Sequence, residues 1–414
     1  MRLSPPSIFG LVLVLGALLL APGASAAGRC STLQSRLVAG GGQASGLFVL
    51  DPESGRVLCR RAPSRRFSLA SNMKLFTTGA AIGRLGPETR IPTRIEATGS
   101  LDDGGVLHGS LYLVGGGDPA LGAPSFYDRF LGGFGTNLYA LKARIRSAGI
   151  HAVRGRLYAD DTIFDRRRGV PDSGYATSPY IGPLSGLAFD VGFSNSSATR
   201  FASDPARLAA TKLARSMDSA GIDIRAQVAL GKAPADAEPV AVVRSPTIAR
   251  IAQATNVPSN NYYAETLNKL LGARFGTTGS TAAGAAVVTR FARSEGSYVH
   301  AVDGSGLTRS GKASTAQVAR FLEAMRAEPY GEDFVDSLAV AGREGTVADR
   351  MEGTAAAGRC RVKTGTLTGV SALSGYCFNA SGRTMIFSIL MNGVRDLGLA
   401  HLEQDRIAAA VASY

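Results

Sequence analysis

The alternation of apolar and polar positions changes period along the chain and marks its elements. Gly46-Leu47-Phe48-Val49-Leu50-Asp51 and Val57 to Arg60 flank Pro52-Glu53-Ser54-Gly55, a pattern that predicts a β-hairpin. From about Ser71 the spacing of Met73, Phe76, Ala80 and Ile82 becomes helical, and Gly86-Pro87 supplies a stop. A long stretch rich in turn signals follows, including Asp102-Asp103-Gly104-Gly105 and Val114-Gly115-Gly116-Gly117-Asp118-Pro119. Helical periodicity returns near Ile248 and predicts helices over 262–271, 282–293 and 315–327. Strands are expected at Val362 to Thr364, Val370 to Phe378 and Thr384 to Met391, and a last helix over 402–412. This is an α+β pattern. Residues 27–90 and 248–414 read as one domain of helices on an antiparallel sheet, and residues 91–247 as a β-rich insertion within it.

The first residues follow a different logic. Arg2, the apolar stretch from about Ile8 to Leu20 and the small residues Ala24-Ser25-Ala26 have the form of a secretory leader, so residues 1–26 read as a signal peptide. The apolar stretch is short for a membrane span, and no stable span is expected once the leader is cut, although retention as an anchor stays open. Export implies an oxidising compartment, in which four cysteines without zinc-type spacing are read as disulfides. Cys360 and Cys377 are centred on the turn between Thr368 and Gly369, so antiparallel strands would set their sulfurs face to face, and Cys30 then pairs with Cys59 by exclusion.

Composition narrows the partners. The net charge of +13 favours anionic surfaces, and export with dispersed Arg points to an anionic cell wall and not to nucleic acid; an Arg-, Ala- and Gly-rich background accounts for the charge equally well. Only seven of the 45 basic residues are Lys. Two of those seven stand in motifs. Ser71-Asn72-Met73-Lys74 is an S-x-x-K at the start of a helix, where one turn sets the amine beside the hydroxyl. Lys363-Thr364-Gly365-Thr366 ends a strand that enters a hairpin, and Ser259-Asn260-Asn261 lies between the two. Each motif alone is weak, but S-x-x-K, S-x-N and K-T-G in this order are the set found in β-lactamases and penicillin-binding proteins. The middle residue departs from S-D-N; in an extended segment only the outer two would face a site.

On these motifs the chain resembles the class C low-molecular-mass penicillin-binding proteins, which are D-alanyl-D-alanine carboxypeptidases and endopeptidases. The likeness extends to Asp51-Pro52-Glu53-Ser54-Gly55, Leu113 to Pro119 and Asp303-Gly304-Ser305-Gly306-Leu307. The 188 residues from Ser71 to Ser259 leave room for the family's guest domains, though the insertion is short for the family. The resemblance implies a penicillin-recognising, β-lactamase-like transpeptidase fold. It further implies that Ser71 attacks the carbonyl between two terminal D-alanines of a peptidoglycan stem peptide, with β-lactam antibiotics as covalent inhibitors. Neutral Lys74 would be the base, its pKa lowered by desolvation and by the charge of Lys363. Ser259 and Asn261 would relay the proton and hold the substrate amide. The backbone N–H groups of Ser71 and Thr366 would form the oxyanion hole, while Thr364, Gly365 and Thr366 line the carboxylate site. Asp161 and Arg309 match family positions that contact a charged diamino acid side chain. No metal or cofactor is needed.

Two rival readings remain. A β-lactamase needs a carboxylate that activates the deacylating water. Glu265 starts a superficially suitable Glu265-Thr266-Leu267-Asn268 but reads as helix surface, and Glu295 lacks an Asn partner. A non-catalytic peptidoglycan-binding scaffold would need none of the motif residues. A histidine-dependent esterase fails for want of a G-x-S-x-G elbow, and His108, His151, His300 and His401 read as structural or surface residues.

Overall fold

The computed structural model describes residues 22–224 and 228–414. Its central element is a six-stranded antiparallel sheet in the order Ala339–Val340, Cys360–Leu367, Val370–Phe378, Thr384–Met391, Ser45–Asp51 and Arg56–Arg61. Its inner strands read as unbroken apolar runs because both faces are covered. Leu47, Val49, Phe387 and Ile389 point to one face, where they meet Leu33 and Leu37 of the helix Pro22–Gly41 and Ile407 of the helix Leu397–Val411. Phe48, Leu50, Ile386 and Leu390 point to the other, against Phe321 and Leu322 of the helix Thr315–Ala327. The period of two along each strand thus builds two separate cores.

On the second face the helix Met73–Leu85 is wrapped by Ile248–Asn256, Asn261–Phe275 and Thr281–Ser294. Every residue from Met73 to Ile82 is buried, so this helix runs through the interior and carries no solvated face over that span.

Residues 90–247 form a second sheet with a core of its own. Arg90–Leu101 pairs on one side with Val106–Val114 and on the other with Glu238–Thr247, so the chain leaves and returns side by side. The helices Ala140–Ser147 and Pro205–Asp218 pack on it through Leu141, Ile145, Leu213 and Met217. From Asp161 to Phe189 the chain runs with little regular structure, broken by a 3-10 turn at Pro171–Ser173.

Several elements depart from expectation. The apolar stretch assigned to a leader lies outside the described residues, and residues 22–26 open a twenty-residue helix that the leader reading obscured. The last helix starts at Leu397, five residues early, because the Asp396 carboxylate caps it by accepting from the Leu399 N–H. Among the described residues no helix is long and apolar enough to cross a membrane.

Both disulfides pair as the spacing implies. Cys30–Cys59 ties the first helix to the edge strand, and Cys360 stands opposite Cys377 in the register of the central hairpin. The second bond closes a loop of 17 residues. Replacing both Cys360 and Cys377 by Ser should cost about 3 kcal/mol through the unfolded chain's added freedom, read from urea unfolding curves of the two proteins.

Candidate functional site

Ser71 sits in a single 3-10 turn, Ala70–Asn72, that leads into the buried helix Met73–Leu85. The turn is tightly constrained. Ala70 has φ +45°, a left-handed conformation costly for a residue with a Cβ, and Gly306 passes so close that a Cβ there would lie 1.8 Å from the Ala70 oxygen. Asn72 points inward and donates from Nδ2 to the Lys363 oxygen at 2.9 Å, which ties the turn to the strand Cys360–Leu367. Gly365 of that strand runs against the turn: a Cβ on it would come within 3.0 Å of the Ser71 nitrogen.

Three residues after Ser71, Lys74 returns to the same helix face. Its side chain is fully buried, and Nζ lies 3.0 Å from Ser71 Oγ while donating to Asn261 Oδ1 at 2.7 Å and to the Ser305 oxygen at 2.9 Å. Burial lowers its pKa to about 7, against the opposing pull of Glu265 and Asp303. A neutral amine has two N–H bonds and one lone pair. Asn261 Oδ1 and the Ser305 oxygen can only accept, so they take the two N–H bonds and leave the lone pair to the Ser71 hydroxyl, which can donate. The expectation that the Lys363 charge lowers Lys74 gives way to burial as the cause. The repulsion falls on Lys363, itself fully buried, donating to the Thr364 oxygen at 3.0 Å and pushed well below the ordinary lysine range by burial and then by Lys74.

The segment at 259–261 is not extended. Asn260 caps the helix Asn261–Phe275 by accepting from the Tyr263 N–H, which turns it away from Ser71, while Asn261 opens the helix and reaches Lys74. Ser259 before it takes φ +60° and lines the cleft. Asn261 Nδ2 donates to the Tyr180 oxygen at 3.1 Å, which anchors the irregular 161–189 segment at the site.

A cleft of about 580 Å³ opens over these groups, with Ser71, Ser259, Asn261, Thr364, Gly365 and Thr366 in its wall. Arg309 also lines it and donates to the Thr368 oxygen at 2.6 Å. Asp161 does not line it; its carboxylate is held by Arg168 at 3.2 Å and by the Ser185 hydroxyl at 2.8 Å. The two residues expected to read one side chain are therefore not brought together in the cleft wall.

The motifs do not account for the other residues in this wall, among them His401, which the sequence alone reads as structural or on the surface. Tyr180, 73% exposed, and Asp172 come from the irregular segment, Thr346 Oγ1 meets Thr364 Oγ1 at 2.7 Å, and His401 enters from the last helix. None lies in a motif; chain topology alone assembles them. Burial and then Arg350 lower the pKa of His401. Glu265 also corrects expectation: it is fully buried beneath the site and not on a helix surface. It does not line the cleft, and neither does Glu295.

Comparison with known proteins adds to this geometry. The model of the D-Ala-D-Ala carboxypeptidase 3 (S13) family matches residues 31–203 and 193–413. A D-alanyl-D-alanine carboxypeptidase of Actinomadura sp. (strain R39) is 32% identical over 90% of this chain and 82% of its own length. A carboxypeptidase of Mycobacterium tuberculosis is 30% identical over 83% and 75% respectively. In fold, the chain is similar to the crystal structure of penicillin binding protein 4 (dacB) from Haemophilus influenzae, with TM-score 0.75 and 19% identity over 93% of this chain and 99% of that one.

The arrangement around Lys74 sets a pH dependence. With Ser71 as nucleophile and Lys74 as its base, attack would need the unprotonated amine, so acylation should speed up as pH rises through about 7 and slow below it, where Lys74 holds a proton. Rates measured between about pH 5 and pH 9 check this, and a profile flat across neutrality contradicts it. Lys74→Ala should slow acylation by roughly a hundredfold or more.

Proposed function

The chain belongs to the D-Ala-D-Ala carboxypeptidase 3 (S13) family, and from that premise we propose that it cleaves terminal D-alanyl-D-alanine of peptidoglycan through an acyl-enzyme on Ser71. It is a serine DD-peptidase of the class C low-molecular-mass penicillin-binding type. The observation that carries the reading is the buried Lys74 amine, both N–H bonds engaged, 3.0 Å from Ser71 Oγ.

Under this reading Ser71 Oγ attacks the carbonyl carbon of the penultimate D-alanine, and its proton passes to Lys74. The developing oxyanion is met by the backbone N–H groups of Ser71 and Thr366, a reading supported by the close passage of Gly365 against the Ser71 nitrogen. The C–N bond then breaks as the leaving amine takes a proton from Lys74 by way of Ser259, and D-alanine departs. Water attacks the ester and passes a proton to Lys74, which hands it to the departing Ser71 Oγ, so the free serine hydroxyl and the neutral amine are restored. Thr364 and Thr366 form the side of the cleft suited to the terminal carboxylate. Lys363, fully buried beside the base, donates to the Thr364 oxygen and so steadies the strand that presents Thr364 and Thr366. Asn261 ties the base to the substrate amide.

We further read residues 27–90 and 248–414 as the catalytic domain and 91–247 as a guest within it; the side-by-side exit and return of the chain and the separate core support this. The enzyme acts outside the cytoplasm, where its substrate lies, and residues 1–26 are proposed as the leader that exports it. Asp161 would join Arg309 in recognising a charged substrate side chain only by releasing Arg168, so Arg309 carries that proposal alone.

A β-lactamase reading requires a carboxylate aimed at a deacylating water. Both oxygens of Glu265 accept backbone N–H groups of the loop beyond Asp303, which leaves it turned from the cleft. Labelled penicillin should therefore attach covalently to Ser71, mapped by peptide digestion, and hydrolyse well below about 10 per second. Labelling that persists in Ser71→Ala contradicts the assignment. Faster turnover favours the β-lactamase. Arg309→Ala should lower kcat/KM more for stem peptides whose third residue ends in a carboxylate than for those with an uncharged side chain; equal losses would remove Arg309 from recognition.

A further inference from the structure

One buried group near the base has no part in the chemistry above. Glu265 lies one helical turn beyond Asn261 on the helix Asn261–Phe275 and is fully buried. Its Oε1 accepts from the Ser305 N–H at 2.7 Å, and both its oxygens accept from the Gly304 N–H at 3.1 Å. Asp303 completes the clasp: Oδ1 accepts from the Gly306 N–H at 2.8 Å and Oδ2 from the Thr308 N–H at 2.7 Å. Two carboxyl groups thus hold four backbone N–H groups of one short loop. The Ser305 carbonyl, which accepts from Lys74 Nζ at 2.9 Å, shares its peptide plane with the Gly306 N–H that Asp303 holds, while Glu265 holds the peptide on the other side of Ser305 through the Ser305 N–H.

We propose that Glu265 is a positioning residue for acylation: by holding the Gly304 and Ser305 N–H groups it anchors the near side of Ser305, as Asp303 anchors the far side through the Gly306 N–H, and so keeps in place the Ser305 carbonyl that, with Asn261 Oδ1, engages both N–H bonds of neutral Lys74 and aims its lone pair at Ser71. The inference rests on Ser71 as nucleophile and Lys74 as base. Glu265 touches neither the cleft nor Ser71, so it acts through the loop. The charged groups around it are Lys74 on the helix Met73–Leu85, Asp303 on the loop and Lys269 on its own helix, the last already bonded to Asp165 at 2.6 Å. As a charge, Glu265 would favour protonated Lys74 and work against a base. Its benefit to the reaction is therefore geometric, and a neutral side chain that still accepts a hydrogen bond should replace it.

Glu265→Gln keeps an amide oxygen for the Ser305 N–H, whereas Glu265→Met fills similar space with no comparable acceptor. The experiment follows labelled penicillin on the full chain, separating the pre-acylation dissociation constant from the acylation rate, with melting temperatures as a control on folding. Glu265→Met should acylate roughly 100-fold more slowly with unchanged pre-acylation binding, the size of effect expected when a reacting group is misplaced by about 1 Å. Glu265→Gln should recover most of that rate. Wild-type acylation by Glu265→Met, a Gln variant as slow as Met, or a loss confined to binding would overturn the proposal; loss of the fold in both variants would assign Glu265 to the scaffold and overturn it as well. A wild-type protein that penicillin does not label would strike the assignment of Ser71, a result distinguishable from all of these.

Discussion

An amine can serve as a base near neutral pH only if the protein makes its ammonium form costly, and the architecture around Lys74 is organised to do that. Lys74 stands on a helix with no solvated face from Met73 to Ile82, and burial brings its pKa to about 7. Burial alone would leave the amine undirected. Asn261 Oδ1 and the Ser305 oxygen supply direction, because each can take an N–H and neither can give one. These two oxygens come from a helix N-terminus and a loop that lie 187 and 231 residues from Lys74 in sequence, so the aim of this amine is a property of the tertiary fold.

The rest of the site follows from how closely backbone passes backbone. The strand Cys360–Leu367 can lie against the Ser71 turn because residue 365 is glycine, and the loop beyond Asp303 can lie against Ala70 because residue 306 is glycine with φ +84°. Asn72 fastens the turn to the strand through the Lys363 carbonyl. A six-stranded sheet covered on both faces gives this strand a rigid setting, with the Cys360–Cys377 bond at the far end of the same hairpin. The cost of this packing is visible in Ala70, which precedes Ser71, and in Ser259, which lines the cleft, both non-glycine residues in the left-handed region.

What the sequence disclosed depended on the range of the interaction. The period of two at Leu47 to Leu50, the helix after Ser71 and the hairpin spanning Cys360 to Cys377 are local patterns, and all three are present. Ser71 and Lys74 could be paired on paper because one helical turn separates them. Strand alternation gives the wrong reason for Asn260 facing away; an Asn before a helical run is itself a cap signal, and the cap is what turns it from Ser71. Glu265 was legible as helical but not as buried, since its helix is enclosed by elements far along the chain. Asp161 shows the same limit: Arg168, seven residues on, and Ser185 claim its carboxylate through a fold in the 161–189 segment that no local pattern encodes.

The central claim is that the hydroxyl of Ser71, activated by a buried neutral lysine, breaks the bond between two D-alanines. It is tested most directly by incubating the purified protein and its Ser71→Ala variant with a stem pentapeptide ending in D-alanyl-D-alanine and quantifying free D-alanine. The account predicts one D-alanine released per peptide by the wild-type protein and none above background by the variant. Undiminished release by a folded Ser71→Ala protein, or no release by the folded wild type, would contradict it.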